Sequence, residues 1–232
     1  MLDIPLIDTV LDVVKVQQKE LHIVKNECFE RPTIPWTFDY NGLHVTHVVS
    51  QWFQHIDTVT YLHNIFVNQP ICIPQDKPRI GIINRKHNRI LLNASEIQNI
   101  IEVTFDIKVD LIYFEDKDFD TQVQFNYNHD IIISPHGAQL ASLVFMPING
   151  FVIEIGHSEW LPYSYFSGLS VTSGKHHAIV CNDHPFPEWQ LVKQKQQKLN
   201  MTGEVRKIIS LIRHYITSQY KKTYKPSVIY LR

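Results

Sequence analysis

Residues 130–147 constrain this chain more than any other stretch. Ile131, Ile132 and Ile133 are consecutive β-branched apolar residues, which suits a strand buried on both faces of a parallel sheet. Ser134, Pro135, His136 and Gly137 break that run. Proline gives the ladder no hydrogen bond, and glycine permits a tight turn or a close backbone approach. From Ala138 the apolar residues Leu140, Leu143 and Val144 recur at helical spacing until Pro147 ends the pattern. A helix that follows a strand so directly points its first N–H groups, and the positive end of its dipole, into the crevice beyond the strand. Phosphate groups bind well there. His136 on the turn can hydrogen-bond such an anion or, when protonated, offset its charge. The alternative is an ordinary strand–turn–helix with a surface histidine.

The flanking chain repeats the same unit. Residues 79–84 form an apolar strand, and Arg85, Lys86, His87, Asn88 and Arg89 follow at its C-terminal end, where open α/β sheets gather their ligands. Arginine's planar fork suits a pyrophosphate there, although Arg89 also reads as an exposed turn charge. Asn93 and Glu96 resemble a capping box ahead of a helix over 93–105. A strand over 109–114, a short helix over 119–125 and a strand over 151–155 complete an order typical of a doubly wound nucleotide-binding half. Glu154 is a polar residue inside an apolar strand. Burying it needs a partner, either a ligand hydroxyl or a neighbouring protein donor.

Elsewhere the pattern is weaker. Val48, Val49, Trp52, Phe53, Ile56, Val59 and Leu62 predict a helix. The prolines between Gln69 and Pro78 mark a linker. Trp160, Tyr163, Tyr165 and Phe166 suit either core packing or stacking on a base or sugar. Past Lys175 the chain reads as irregular, up to an amphipathic helix over 205–216 with Thr202 as its N-cap.

Composition excludes several classes. The 232 residues carry a formal net charge of −1, which gives no nucleic-acid surface. No apolar run approaches the ~20 residues needed to cross a bilayer, and Asp3, Asp8 and Asp12 are unlike a secretory leader. Three widely spaced cysteines fit a reducing compartment, so a cytoplasmic location is expected, with the two glycosylation sequons at Asn93 and Asn200 read as chance. The 13 histidines show no clean metal-ligand spacing, and adjacent His176 and His177 cannot share a helix face.

The ordered run from Ser134 through Leu140, Leu143 and Phe145 to Pro147, followed by Val152, Ile153, Glu154 and Ile155, resembles the signature of glycosyltransferase family 61. The likeness is clearest over 79–155, with a fainter trace where Asn41 precedes His44. It implies a GT-B-like α/β protein of two Rossmann-type units with a reduced N-terminal half. These would be an acceptor-side unit over 1–74, a nucleotide-sugar-binding unit over 75–190, and a C-terminal helix in 191–232 packing back on the first unit. The implied reaction moves a sugar, xylose or N-acetylglucosamine, from a UDP-sugar to a hydroxyl of an oligosaccharide or glycoprotein glycan, with inversion. Neither a metal nor another cofactor is expected. Arg85, Arg89, Ser134, His136, Gly137, Ala138 and Glu154 would bind the donor, with Asn41 and His47 on the acceptor side.

One departure bears on catalysis. Where many relatives carry an aspartate four positions after the motif histidine, this chain has Val48. The base that takes the acceptor proton must lie within hydrogen-bond reach and have a suitable pKa. Asp39, His44 and His47 are candidates; His44 matches the motif, and Asp39 is favoured because a carboxylate stays ionised at neutral pH. Asp39 or His47 also reads as a helix cap. The missing aspartate keeps a non-catalytic nucleotide-sugar-binding protein as the alternative, ahead of a histidine-based metallohydrolase.

Overall fold

The computed structural model describes residues 37–40, 43–46, 77–157, 165–182, 198–217 and 228–231. Strands β1 (Thr37–Tyr40) and β2 (Leu43–Thr46) form an antiparallel pair. The helix expected over 48–62 lies outside the described residues.

The main body is mixed α/β. Its strands are β3 (Ile80–Asn84), β5 (Val109–Tyr113), β6 (Ile131–Pro135), β7 (Phe151–His157), β8 (His176–Asn182) and β10 (Val228–Leu231), all paired in parallel in the order β5-β3-β6-β7-β8-β10. From β3 the chain first adds β5 on one side, then returns to place β6 and its successors on the other. The strand order therefore reverses between β3 and β6. A reversal leaves a crevice beyond the carboxyl ends of those two strands, because successive connections leave in opposite directions.

Helices cover both faces. On one, α1 (Ala94–Phe105) and α4 (Val205–Thr217) pack Ile97, Ile101, Ile208 and Ile212 against Ile82, Ile133, Ile153 and Val180. On the other, α2 (Phe119–Tyr127), a 3-10 helix (Ala138–Phe145) and α3 (Tyr165–Thr172) pack Val123, Leu143, Phe145 and Leu169 against Ile83, Ile132 and Val152. Alternate residues of each strand thus enter opposite cores, which is why these strands read as continuous apolar runs.

Several expectations are corrected. β8 is a fully buried strand in a region read as irregular; its two histidines and terminal asparagine hid it. The stripe of α4 was expected on the first unit, but Val205, Ile208, Leu211 and Ile212 join this sheet's core, and Tyr215 stacks on Phe151 at 5.5 Å. Asn93 forms no capping box, because its side chain is drawn away by Met201 N–H (3.1 Å) and Thr202 Oγ1 (3.3 Å). Nor does Thr202 cap α4, which begins at Val205; its N–H and hydroxyl instead donate to Asn200 Oδ1 at 3.1 and 2.7 Å. The segment after Gly137 is 3-10 rather than α, with Leu140 N–H bonded to Gly137 O at 2.9 Å.

Lys175, at the end of α3's exit turn, is fully buried and donates to the carbonyls of Val144 (3.1 Å) and Ser173 (2.6 Å). Burial pushes its pKa down to about 7. The unfolded chain, with an ordinary lysine near 10.5, then holds more protons between these values, so folding stability rises as pH climbs from 7 toward 10.5. We expect wild type to gain stability over Lys175→Met by up to ~1.4 kcal/mol per pH unit in that window, measured by urea unfolding at a series of pH values.

Candidate functional site

The carboxyl ends of β3 and β6 hold most of the residues expected to act together. Asn84 closes β3 and is buried. Its Oδ1 accepts from Arg85 N–H (2.8 Å) and Leu91 N–H (2.9 Å), while Nδ2 donates to Leu91 O (3.0 Å). One side chain thereby clasps residues 85–91 into a closed loop ending in β4 (Ile90–Leu91), which pairs in parallel with β9 (Lys198–Leu199). Arg89 on that loop has a left-handed backbone, φ 56°. Asn84 was not singled out from sequence. An amide ending an apolar strand just before a basic loop was the available signal. Asn84→Ala removes these three bonds, and a fourth from Nδ2 to Tyr113 Oη at 3.5 Å, from a buried site and should cost ~2–4 kcal/mol, read by urea denaturation.

Arg85 reaches across the crevice, and its Nη1 donates to His136 O at 3.3 Å. Gly137 makes this possible. A Cβ there would lie 2.0 Å from Arg85 Nη1 and 2.6 Å from Gln139 Oε1. Burial lowers the Arg85 pKa, with Glu115 opposing. Burial also brings Arg89 down to about 10, helped by Arg85's charge and opposed by that of Glu154. The two guanidinium groups and the carboxylate thus share one neighbourhood. The N–H groups of Gly137, Ala138 and Gln139 precede the first 3-10 bond, so the turn retains the donor end expected of it, on a tighter helix.

Glu154 sits on β7 beside that turn. Its Oε1 bonds His136 Nδ1 in a very short contact, and its Oε2 bonds His177 Nε2 of β8 at 2.8 Å. His177 Nδ1 meets Ser170 Oγ of α3 at 2.8 Å. Glu154 is 1% exposed, His177 and Ser170 0%. Burial by itself would raise the carboxyl; hydrogen bonds from both histidines, and their charges, outweigh it and hold its pKa near 2. The partner question raised by the sequence is answered by protein donors. His136 is also packed against Phe166, ring centroids 5.3 Å apart.

The remaining candidates divide plainly. Ser134 is buried, donates to Pro135 O (3.1 Å) and accepts from Gln139 Nε2 (3.2 Å), which ties down the turn. Nearby, Ser142 donates to Gln139 O (2.7 Å) and accepts from Asn126 Nδ2 (2.9 Å), which ties the 3-10 helix to α2. Asp39 and His44 are direct cross-strand partners in the β1–β2 pair. Asn41 and His47 lie outside the described residues, as do Trp160 and Tyr163. Among the described residues, no three His, Cys, Asp or Glu side chains are arranged to hold an ion, and no helix is long and apolar enough to cross a membrane. A cleft of about 480 Å³ lined by Lys77, Arg79, Lys108 and His129 opens at the opposite, N-terminal ends of β3 and β5, away from the strand-order reversal.

A parallel sheet that reverses its strand order, with two arginines, a histidine and a glycine turn at the carboxyl ends of its strands, defines an α/β protein. The chain belongs to the glycosyltransferase 61 family, whose sequence model matches residues 10–153. It is similar to the EGF domain-specific O-linked N-acetylglucosamine transferase of Gallus gallus, 29% identical over 150 residues, which is 58% of this chain and 27% of that protein. Protein O-linked-mannose beta-1,4-N-acetylglucosaminyltransferase 2 of Homo sapiens is 30% identical over 83 residues, 36% of this chain and 14% of its own length. The Xenopus laevis protein of that name is 30% identical over 143 residues, 54% and 25% respectively. The chain therefore spans about a quarter or less of the curated relatives it matches.

Proposed function

We propose that this chain is an inverting glycosyltransferase that moves a sugar from a UDP-sugar to a glycan hydroxyl. The described sheet serves as the donor-side unit of a GT-B-like pair whose first unit is reduced. N-acetylglucosamine is favoured over xylose, because the relatives it resembles are named for transferring it. One observation carries the reading: Arg85 closes over Gly137 at the strand-order reversal, beside His136.

The chemistry follows from charge. As the bond from the sugar's anomeric carbon to the diphosphate breaks, negative charge grows on the departing β-phosphate. Arg85, Arg89, His136 and the N–H groups at Gly137 and Ala138 are the groups we assign to stabilise it, and Arg85 and Arg89 are already partly buried. The acceptor hydroxyl gives up its proton to Asp39, whose strand register sets it opposite His44, and attacks from the other face of the sugar. Glu154 acts through His136 rather than on the donor itself.

Calorimetric titration with UDP, combined with UDP release from UDP-N-acetylglucosamine and UDP-xylose over a glycan acceptor panel, tests this. UDP binding together with turnover that Asp39→Ala abolishes is the expected result. UDP binding with no turnover of any donor would favour the binding-protein reading, to which Val48 lends support. Absence of UDP binding would overturn both.

A further inference from the structure

The hydrogen-bond chain that begins at His136 runs on past Glu154 to His177 and Ser170, two buried residues beyond the 10–153 family match. We propose that His177, seated by Ser170, is a positioning residue for His136, acting through Glu154 to fix which imidazole nitrogen carries the proton and how that ring is presented to the donor phosphates. The inference rests on the donor-site reading above and deepens it.

The geometry supplies the argument. A glutamate carboxylate turns readily about its terminal torsion, which has no sharp staggered wells. With a single bond from His136, the group could swing or take up that histidine's proton. The second bond, from His177 Nε2 to the other oxygen at 2.8 Å, pins the carboxylate plane and occupies it as an acceptor on both sides. His177 reaches that position because Val152 is its register partner and Glu154 lies two residues on, on the same face of β7. Ser170 completes the hold at Nδ1, from α3 above the sheet. With Glu154 pinned, His136 donates through Nδ1, which fixes the tautomer and the orientation of its ring. Among the described residues, Glu154 on β7, His177 on β8, and Arg85 and Arg89 on the loop after β3 face the pair.

A purely structural plug would hold the sheet together and leave the reaction alone. The two roles separate in three variants: His177→Phe, which fills the space without donating; His177→Gln, which keeps an N–H donor; and Ser170→Ala, a mild change that frees the His177 ring. Charge on the diphosphate is greater in the transition state than in the bound donor, so His177→Phe should lower kcat with UDP-N-acetylglucosamine ~10–100-fold while KM moves less than about threefold. Ser170→Ala should lower it ~3–10-fold, and His177→Gln should restore most of the loss. Nitrogen NMR of histidine-labelled protein gives an independent readout without donor. His136 should show one tautomer, protonated at Nδ1, in wild type and His177→Gln, and a mixture in Ser170→Ala and His177→Phe. If His177→Phe does not fold, Ser170→Ala and His177→Gln carry the test alone. An unchanged His136 tautomer in Ser170→Ala, or variants that lose melting temperature with kcat intact, would overturn the proposal. Should wild type fail to bind UDP while the tautomers shift as expected, the donor reading falls and the relay stands, so the two failures are distinguishable.

Discussion

Gly137→Ala is expected to leave the fold almost intact and, on the proposed function, to lower UDP affinity ~10–100-fold, the loss that follows when a charge-assisted contact is displaced. The added Cβ would fall 2.0 Å from Arg85 Nη1 and 3.0 Å from Arg85 Cζ. Both atoms belong to the far end of a flexible side chain, so the arginine swings aside and the backbone stays. No change of backbone conformation is required, because Gly137 is extended. Isothermal titration with UDP, alongside a melting curve, separates these effects. Unchanged affinity would show that Arg85 is no part of the grip, and a collapse of the melting temperature would show that the turn has a structural role instead.

Glu154→Leu should be the most damaging single change to stability, costing ~3–5 kcal/mol at neutral pH, because it strips two buried imidazoles of their shared acceptor. The acid side of the pH–stability profile should change with it. The folded carboxyl titrates near 2, well below its unfolded value of 4.5. Its contribution is therefore complete above 4.5 and drains away as pH falls from 4.5 through 2, by ~3 kcal/mol in all. The leucine variant lacks that descent. Urea unfolding from pH 2 to 7 measures both. Parallel profiles for the two proteins would mean that the carboxylate is not ionised in the native state.

How much of this was legible beforehand varies with the physics involved. The strand of triple isoleucine and the turn at Pro135–Gly137 were readable, because burial on both faces leaves no alternation to confuse and proline with glycine punctuates strongly. Arg85, Arg89, His136 and Glu154 were expected near one another, and the sheet brings them together. β8 was not readable. A strand beginning His176-His177 and ending Cys181-Asn182 looks polar until Glu154 and Ser170 are seen to satisfy His177. Sequence adjacency misled as well: two neighbouring histidines cannot share a helix face, but on a strand they point to opposite faces, each to its own neighbours. Local caps failed for a similar reason. Asn93 is drawn off by Met201 and Thr202, over a hundred positions away, and no local rule anticipates a partner so distant.

That long-range tie carries a kinetic consequence. The basic loop after β3 is bound at its far end by Leu91 and Leu92 meeting Leu199, and by Asn93 meeting Met201. On a ribosome, most of the sheet can collapse, and Asn84 can clasp the arginine loop, while those partners are still unsynthesised, but the loop's far end stays unanchored until they emerge. Contacts across so many residues form late, so the final anchoring of this loop should lag behind compaction.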